Sequence, residues 1–600
     1  MKKISILIVT GCLIILAVSC RNDFLDLAPQ DQLTEASYFK NPDQFKASTA
    51  SFYDKMISWK SVDNVNVFAY MDFGSDLSSN VKDRGYAGQG SYGLGSLTLP
   101  DNDQFWDNSY KYIRSVNLLL EKARAYEGDK DDIKQYVAES KFFRAWHHFF
   151  LLQRFGGVPI DTVVIDLDSP ELYGARNSRY EVVDQVLADL NAAIPNLPTE
   201  QTIPDADKGR VSRWAAEAFK ARVELYEATW RKYTGTTTDF TGSAGPAKDQ
   251  VTEFLTDAVA MAKDVMDHGG YELWDYNTGL NNRSNFYLFT IDGTGSNPMG
   301  LDKPSNKEFI LQSIYDYELR QSAVQITRES WRLTPSRKLM DMYLCTDGLP
   351  ADKSPLFQGY SDVSKEFENR DYRMISNVLG DESIPAAGSM SLTDGVLYGF
   401  GNFKFTSWNF TENSYRPDNT ESSNYPQIRL AEVFMIYAEA LYELNGSISD
   451  ADLDISINLI RKRAGVAALT NNLVSANGLD MLTEIRRERA LEMYGENNRF
   501  NDLKRWGIAE TELNQNVCGM VVGDASYPTD FKDAAGVATD KYTPNKYGYG
   551  ETVVKTADGD LNCLVIMPAS SHDFQRKHYL FPLPTQQLLL NPNLVQNTGY

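Results

Sequence analysis

From Glu139 to Phe155 the chain reads ESKFFRAWHHFFLLQRF, and this run decides the fold. Phe142, Ala145, Trp146, Phe149 and Phe150 fall at the i, i+3, i+4, i+7 and i+8 spacing that lines one face of a helix. Gly156-Gly157-Val158-Pro159 then stops it, as glycine and proline do just past a helix C-terminus. A second helix is expected upstream, from Asp103 to Ala125, with the charged GDKDD turn between the two. Two long helices on a short connection pack as an antiparallel hairpin.

The pattern recurs along the chain. Tyr180–Ile194 and Ser212–Trp230 read as another helix pair, with Trp214, Ala218, Ala221 and Leu225 on one face of the latter. Val251–Asp267 adds a helix. Leu430, Val433, Phe434, Tyr437, Ala438, Leu441 and Tyr442 give clean helical periodicity, and Ile455–Ala464 and Leu482–Tyr494 follow. Antiparallel pairs of roughly 35–45 residues resemble tetratricopeptide-type units. The expected fold is mainly α, with a helical scaffold at about 40–268 and 427–507. Between the two parts, residues 269–426 are rich in Gly, Asn, Ser and Pro and read as a loop-rich, partly β insertion, with a strand at Lys307–Tyr315. Ser61–Asp103 is loop-rich in the same way, and residues 517–600 read as an irregular C-terminal region. Loops on a rigid scaffold are where binding usually sits.

The first twenty residues, MKKISILIVTGCLIILAVSC, set the compartment. Lys2 and Lys3 precede an apolar run that ends at Ser19-Cys20. A short apolar segment behind lysines is a secretory signal, too short to span a bilayer comfortably. A small residue before Cys is the pattern of a bacterial lipoprotein, so residues 1–19 would be removed and Cys20 would carry the acyl chains, palmitate among them. Cys12, after Val-Thr-Gly, is the alternative, but cleavage there leaves only about six apolar residues for the signal core. The remainder, 20–600, is expected to form one large soluble domain.

Net charge is −22, which gives no overall attraction to nucleic acid. Past Cys20 only Cys345, Cys518 and Cys563 remain, without metal-ligand spacing, and the five histidines form no HExxH. His147 and His148 sit among core aromatics, where a structural role is expected. Gly88-Gln89-Gly90-Ser91-Tyr92-Gly93 fits GxGxxG but lacks a strand before it and a helix after it, so it reads as a loop. Neither a GxxxxGK[ST] loop nor a GxSxG elbow occurs. A glycosidase needs two carboxylates facing a cleft, and nothing among the 81 Asp and Glu singles out such a pair. The chain carries 33 Tyr, 29 Phe and 9 Trp, and such rings suit the C–H faces of sugars.

Several segments are recognisable in order: Phe24-Leu25-Asp26-Leu27-Ala28-Pro29, Glu139–Pro159 with its RFGGVP ending, Arg179–Pro198, and Gly209–Ala228. Further on come LTPSRKLMDMYLCTDGLP (Leu333–Pro350), Asn369–Arg373, RLAEVFMIYAEAL (Arg429–Leu441), IRRERALEMYGENNRFNDLKRWG (Ile485–Gly507) and the terminal His578–Tyr600. Together, behind a lipoprotein signal, they resemble the SusD/RagB family of Bacteroidetes outer-membrane lipoproteins. The resemblance implies four tetratricopeptide-like pairs, no catalysis, no cofactor, and a SusC-type TonB-dependent transporter as partner. It implies a lipid anchor in the outer membrane, facing the cell exterior, and capture of oligo- or polysaccharide. Peptide capture in the RagB manner and a surface glycoside hydrolase are the alternatives. It places the ligand face between the first helix and the Asp103 helix, and again before Leu333. There the chain offers Asp83, Arg84, Tyr86 and Tyr92, then Tyr287, Tyr317 and Trp331. Trp106 is set aside because it opens a helix, and Trp274 because it closely follows one. Arg486, Arg487, Glu488 and Arg489 are expected to form an ion-pair network on their helix, and Trp506 to pack.

Overall fold

Helix starts in this chain are written by capping side chains. In the computed structural model the Asp103 carboxylate accepts the backbone N–H groups of Phe105 and Trp106 at 2.8 and 3.3 Å. Ser178 and Glu181 form a reciprocal capping box, and the Ser212 hydroxyl caps Ala215. The structure describes residues 38–56, 72–80, 91–243, 245, 249–321, 333–360, 363–379, 402–414, 417, 420–522, 531–532, 538–539, 551–556 and 559–600. Cys20 and the signal segment lie outside them.

The scaffold comprises α1 (Pro42–Tyr53), α2 (Gln104–Ala125), α3 (Lys134–Phe155), α4 (Arg179–Ala193), α5 (Arg213–Thr229) and α6 (Val251–His268). It resumes with α7 (Leu430–Asn445), α8 (Ile457–Arg463), α9 (Met481–Glu492) and α10 (Arg499–Arg505). The predicted helices are all present, most ends within about two residues, while α3 begins at Lys134 ahead of Glu139 and α7 runs past Tyr442 to Asn445. α3 packs on both α2 and α4, α5 on α6, α6 on α7, and α7 on α9. The pairs thus merge into one continuous stack of tetratricopeptide-like helices. This explains a departure from the one-faced reading of α3. Phe143, Leu151 and Leu152 are as buried as Phe142 and Phe149, because neighbours cover several sides of the helix. Trp146 and Phe150, at its edge, are only half-buried. Gly156, at a positive φ of 78°, ends the helix with its N–H on the Leu152 carbonyl.

The described strands are few. β1 (Ser78–Asn80) pairs antiparallel with β3 (Leu333–Pro335), and β2 (Phe309–Ser313) pairs antiparallel with β4 (Tyr425–Arg429). β2 is the strand expected within Lys307–Tyr315. The tail departs from expectation. β5 (Val517–Val522), β6 (Glu551–Thr556) and β7 (Gly559–Met567) build a three-stranded sheet in the order β5-β7-β6. VCGMVV and the LVIM end of β7 are β-branched and apolar enough to pay for pairing once a long hairpin brings them together. The last residues return to the helices: Phe581 N–H donates to the Arg154 carbonyl at 2.7 Å, and Asn597 Nδ2 to the Phe155 carbonyl at 3.1 Å.

Among the described residues two large apolar cores result, beside a small cluster of Leu344, Ala464 and Val466. One runs through the helices and takes in Tyr579, Leu580, Phe581 and Leu583 from the tail. The other belongs to the insertion, where Trp274, Phe286, Tyr287, Phe289, Tyr343 and Trp408 pack against Leu491 and Tyr494 of the scaffold. The loop-rich insertion therefore has an aromatic interior of its own. Between the cores lies a buried ionic cluster. Arg429 reaches Glu308 at 2.9 Å, Glu492 at 2.7 Å and Glu496 at 2.7 Å, while Arg463 reaches Glu308 and Glu492 at 2.5 Å each. The charges of Arg486–Arg489 do form ion pairs, but mostly between elements: Glu488 pairs with Arg373, Arg489 with Asp502 and Arg486 with Glu443. Trp506 is buried, its indole N–H on Glu439 at 2.7 Å.

His148 is fully buried, and its Nδ1 donates to the Arg144 carbonyl at 3.0 Å. Burial pushes its pKa down to about 4. A base whose folded pKa lies below its unfolded value loses stability as pH falls from about 6.5 through about 4. The ring should therefore cost about 3 kcal/mol of stability at the bottom of that window. In His148→Leu this penalty is absent, so the stability gap between variant and wild type should move by that amount in the variant's favour on acidification. Urea unfolding at neutral pH and near pH 4 checks it.

Candidate ligand-binding face

β1 and β3 belong to stretches far apart in sequence, yet Asn80 sits opposite Leu333 and Ser78 opposite Pro335. The ribbon joins the ends of the two loop-rich runs for which the family resemblance implies a ligand face. A second tie lies near the end of α1, where Arg320 Nη2 donates to Asp54 at 2.9 Å. The first run therefore continues from Asn80 and the second arrives at Leu333 from neighbouring points of the molecule.

Beside the ribbon is a cavity of about 500 Å³. Residues Gly74–Ser78, the short helix Arg337–Met342, the Phe357–Tyr360 segment and strands β5 and β7 contribute its walls. Asp76 anchors one side. Its carboxylate meets Arg499 at 2.8 Å and Lys338 at 2.5 Å. Burial alone would raise its pKa, but these two cations hold it well below the usual carboxylate range. Lys338 also pairs with Glu512, and Arg337 with Asp341 at 3.1 Å. Tyr360 Oη donates to Asp341 at 3.1 Å, and the Tyr360 and Phe357 rings meet edge to face at 5.0 Å. Asp76, Asp341 and Glu512 thus each face a cation, which makes a charge-balanced wall. Cys518, Cys563 and Met567 supply apolar surface opposite.

The sequence-predicted residues fall differently. Tyr317 is 47% exposed, on a turn closed by reciprocal backbone bonds between Asp316 and Arg320. Exposed Ile314 and Leu319 flank it. Tyr287 is a correction: it is 1% exposed, its ring edge-on to Phe286 at 4.9 Å and near Phe410 at 5.9 Å. It packs the insertion core and has no ring face open to a ligand. Trp106 and Trp274 are buried, as expected of packing residues. Tyr92 lies in a short helix, Ser91–Leu94, at the cavity edge formed by Gly93 and Leu94. Asp83, Arg84, Tyr86 and Trp331 lie outside the described residues. The cavity-lining Asp76, Lys338, Phe357 and Tyr360 were not anticipated. The Leu333–Pro350 motif was the available signal, since it carries Arg337, Lys338 and Asp341.

Stacked helix pairs bearing an inserted aromatic lobe define a helical-repeat protein. The chain belongs to the SusD/RagB family. A model described as the SusD family matches residues 315–600, and one described as starch-binding associating with outer membrane matches residues 23–225. A SusD-like protein of Formosa agariphila is 23% identical over 526 residues, covering 84% of this chain and 90% of that one. Among solved structures, a SusD-like carbohydrate binding protein of Bacteroides fragilis superposes with a TM-score of 0.67 at 22% identity, over 92% of this chain and 99% of that one. A laminarin binding SusD-like protein superposes with a TM-score of 0.56 at 21% identity, over 94% of this chain and 100% of that one. Among the described residues, no helix is long and apolar enough to cross a membrane.

The cavity wall yields a contrast. Asp76→Ala leaves the buried Arg499 guanidinium without its carboxylate and should cost about 3–5 kcal/mol in denaturant unfolding. Lys338→Ala, at a side chain that is 36% exposed, should cost no more than about 1 kcal/mol.

Proposed function

We propose that this protein is an outer-membrane lipoprotein, anchored through Cys20 and facing the cell exterior, that captures oligo- or polysaccharide and delivers it to a SusC-type TonB-dependent transporter. The observation that carries the reading is the β1–β3 ribbon. It pairs Asn80 with Leu333, and along the sequence Asp83, Arg84, Tyr86 and Tyr92 follow the first of these while Trp331 precedes the second. Aromatic rings cover sugar C–H faces, and the Asp–Arg pair can hydrogen-bond to hydroxyls. Family membership supports the reading, as do the carbohydrate and laminarin ligands named for two structural neighbours. The charge-balanced cavity wall favours binding over an acid–base pair. The mature chain works as one domain, its insertion and scaffold locked by the Arg429 cluster.

Binding should depend on the loop aromatics. Trp331→Ala or Tyr92→Ala should weaken glycan binding several-fold, since a buried aromatic contact is worth over about 1 kcal/mol, while the melting temperature stays nearly unchanged. Isothermal titration against a panel that includes laminarin, starch and mixed peptides, with product analysis, tests this. Peptide binding alone would move the cargo to the RagB class, and turnover would make the protein an enzyme. If alanine variants of Asp83, Arg84, Tyr86, Tyr92, Tyr317 and Trp331 all bind like wild type, the site lies elsewhere.

Delivery requires a channel. A lasting complex with the transporter should bury above about 2,000 Å² and survive detergent extraction. Tagged protein purified from native membranes should bring down a TonB-dependent barrel, identified by mass spectrometry. Recovery of the lipoprotein alone would leave a stand-alone surface binder.

A further inference from the structure

A second cavity, of about 140 Å³, opens within the helical scaffold between α3, α5, β4 and the segment leading into α10. At roughly 10–15 Å³ per water-sized sphere it has room for about ten, enough for one sugar ring with its hydroxyls. Its mouth is aromatic and amide-rich: Trp146, Phe150, Gln153, Asn497 and Asn501 all line it and are all half-buried. Phe219 backs Trp146 at 4.6 Å, the ring planes 32° apart, and so fixes the indole as a platform.

Several polar atoms in the lining have no hydrogen-bond partner among the described residues. Two of them are Nη1 of Arg489, a side chain only 4% exposed, and Oδ1 of Asn501. A buried donor and a buried acceptor left open cost free energy unless something fills the space between them. The remaining charges are spent. Arg222 is held by Glu432 at 2.6 Å, Arg505 by Glu439 at 2.6 Å and by Asp502 at 2.8 Å, and Arg489 Nε by Asp502 at 2.8 Å. A balanced lining suits a neutral ligand. Water would satisfy the two open atoms but gains nothing from the rings at the mouth. A neutral polyol ring uses both, its hydroxyls on Arg489 and Asn501 and its C–H face on Trp146 or Phe150.

We propose that this cavity binds a single neutral monosaccharide and is a site separate from the loop face. The site stands apart from the capture reading, and the experiment keeps the two distinct. Mature full-length protein is titrated with D-glucose, D-galactose and D-mannose, followed by saturation-transfer NMR and calorimetry. At least one sugar should bind with millimolar affinity. Asn501→Ala should weaken it about five-fold, the loss of one hydrogen bond between neutral groups. Phe150→Ala, at a half-buried ring, gives an independent reading, with the melting temperature of each variant as the check on folding. Trp331→Ala and Tyr317→Ala should leave monosaccharide binding unchanged even where they abolish polymer binding. The proposal is overturned if none of the three sugars binds at millimolar concentration, if both cavity variants bind like wild type, or if the loop variants remove the signal. In the first two cases the cavity holds water only, and in the third the sugar sits on the loop face.

Discussion

The Arg429 guanidinium is the joint on which the rest of the structure depends. It stands where β4 becomes α7, fully buried, and its donors are shared among Glu308, Glu492 and Glu496. Glu308 leads into β2 of the insertion, and Glu492 ends α9, so one side chain ties insertion to scaffold. Burial pushes the Glu492 carboxyl toward neutrality, but Arg463, Arg429 and Arg373 outweigh it and hold the group ionised far into acid. Such a cluster adds little net stability compared with apolar packing of the same volume. Its strength lies in geometry: bidentate forks fix orientation, and any other docking of the insertion would strand buried charges.

That fixed docking gives the β1–β3 ribbon its footing. The insertion is mostly irregular backbone, yet Phe289, Tyr343 and Trp408 pack it as tightly as a helical core. The helices below it form a continuous stack, which resists bending. Asn80 and Leu333 are therefore held together on a rigid base.

The helices were legible because each carries its own evidence. Asp103, Ser178 with Glu181, and Ser212 announce helix starts, and the 3.6-residue period fills in the rest. The strand near Phe309 was legible for a similar reason. The tail sheet was not, because β5 finds its partner only across a long intervening segment, and local sequence does not encode that closure. Tyr287 marks another limit. A tyrosine in a Gly- and Asn-rich stretch reads as exposed, and only the three-dimensional path reveals Phe286 and Phe410 around it. Tyr317, in a similar context, is exposed. The cavity beside the ribbon was illegible for a topological reason: Asp76, Lys338, Tyr360 and Cys563 come from four separate segments, and no spacing links them.

The return of residues 581–597 to α3 bears on the order of folding. Phe581 and Asn597 hydrogen-bond the carbonyls at the end of α3, and Arg176 donates to the Val595 carbonyl at 2.6 Å. The first long hairpin is therefore completed by residues as much as 442 positions further along the chain. A nascent chain lacking them leaves those carbonyls and the apolar floor beneath them open to water, so an N-terminal fragment has no finished core to settle into. Closing the hairpin is therefore a long-range step of folding, separate from the local formation of its two helices.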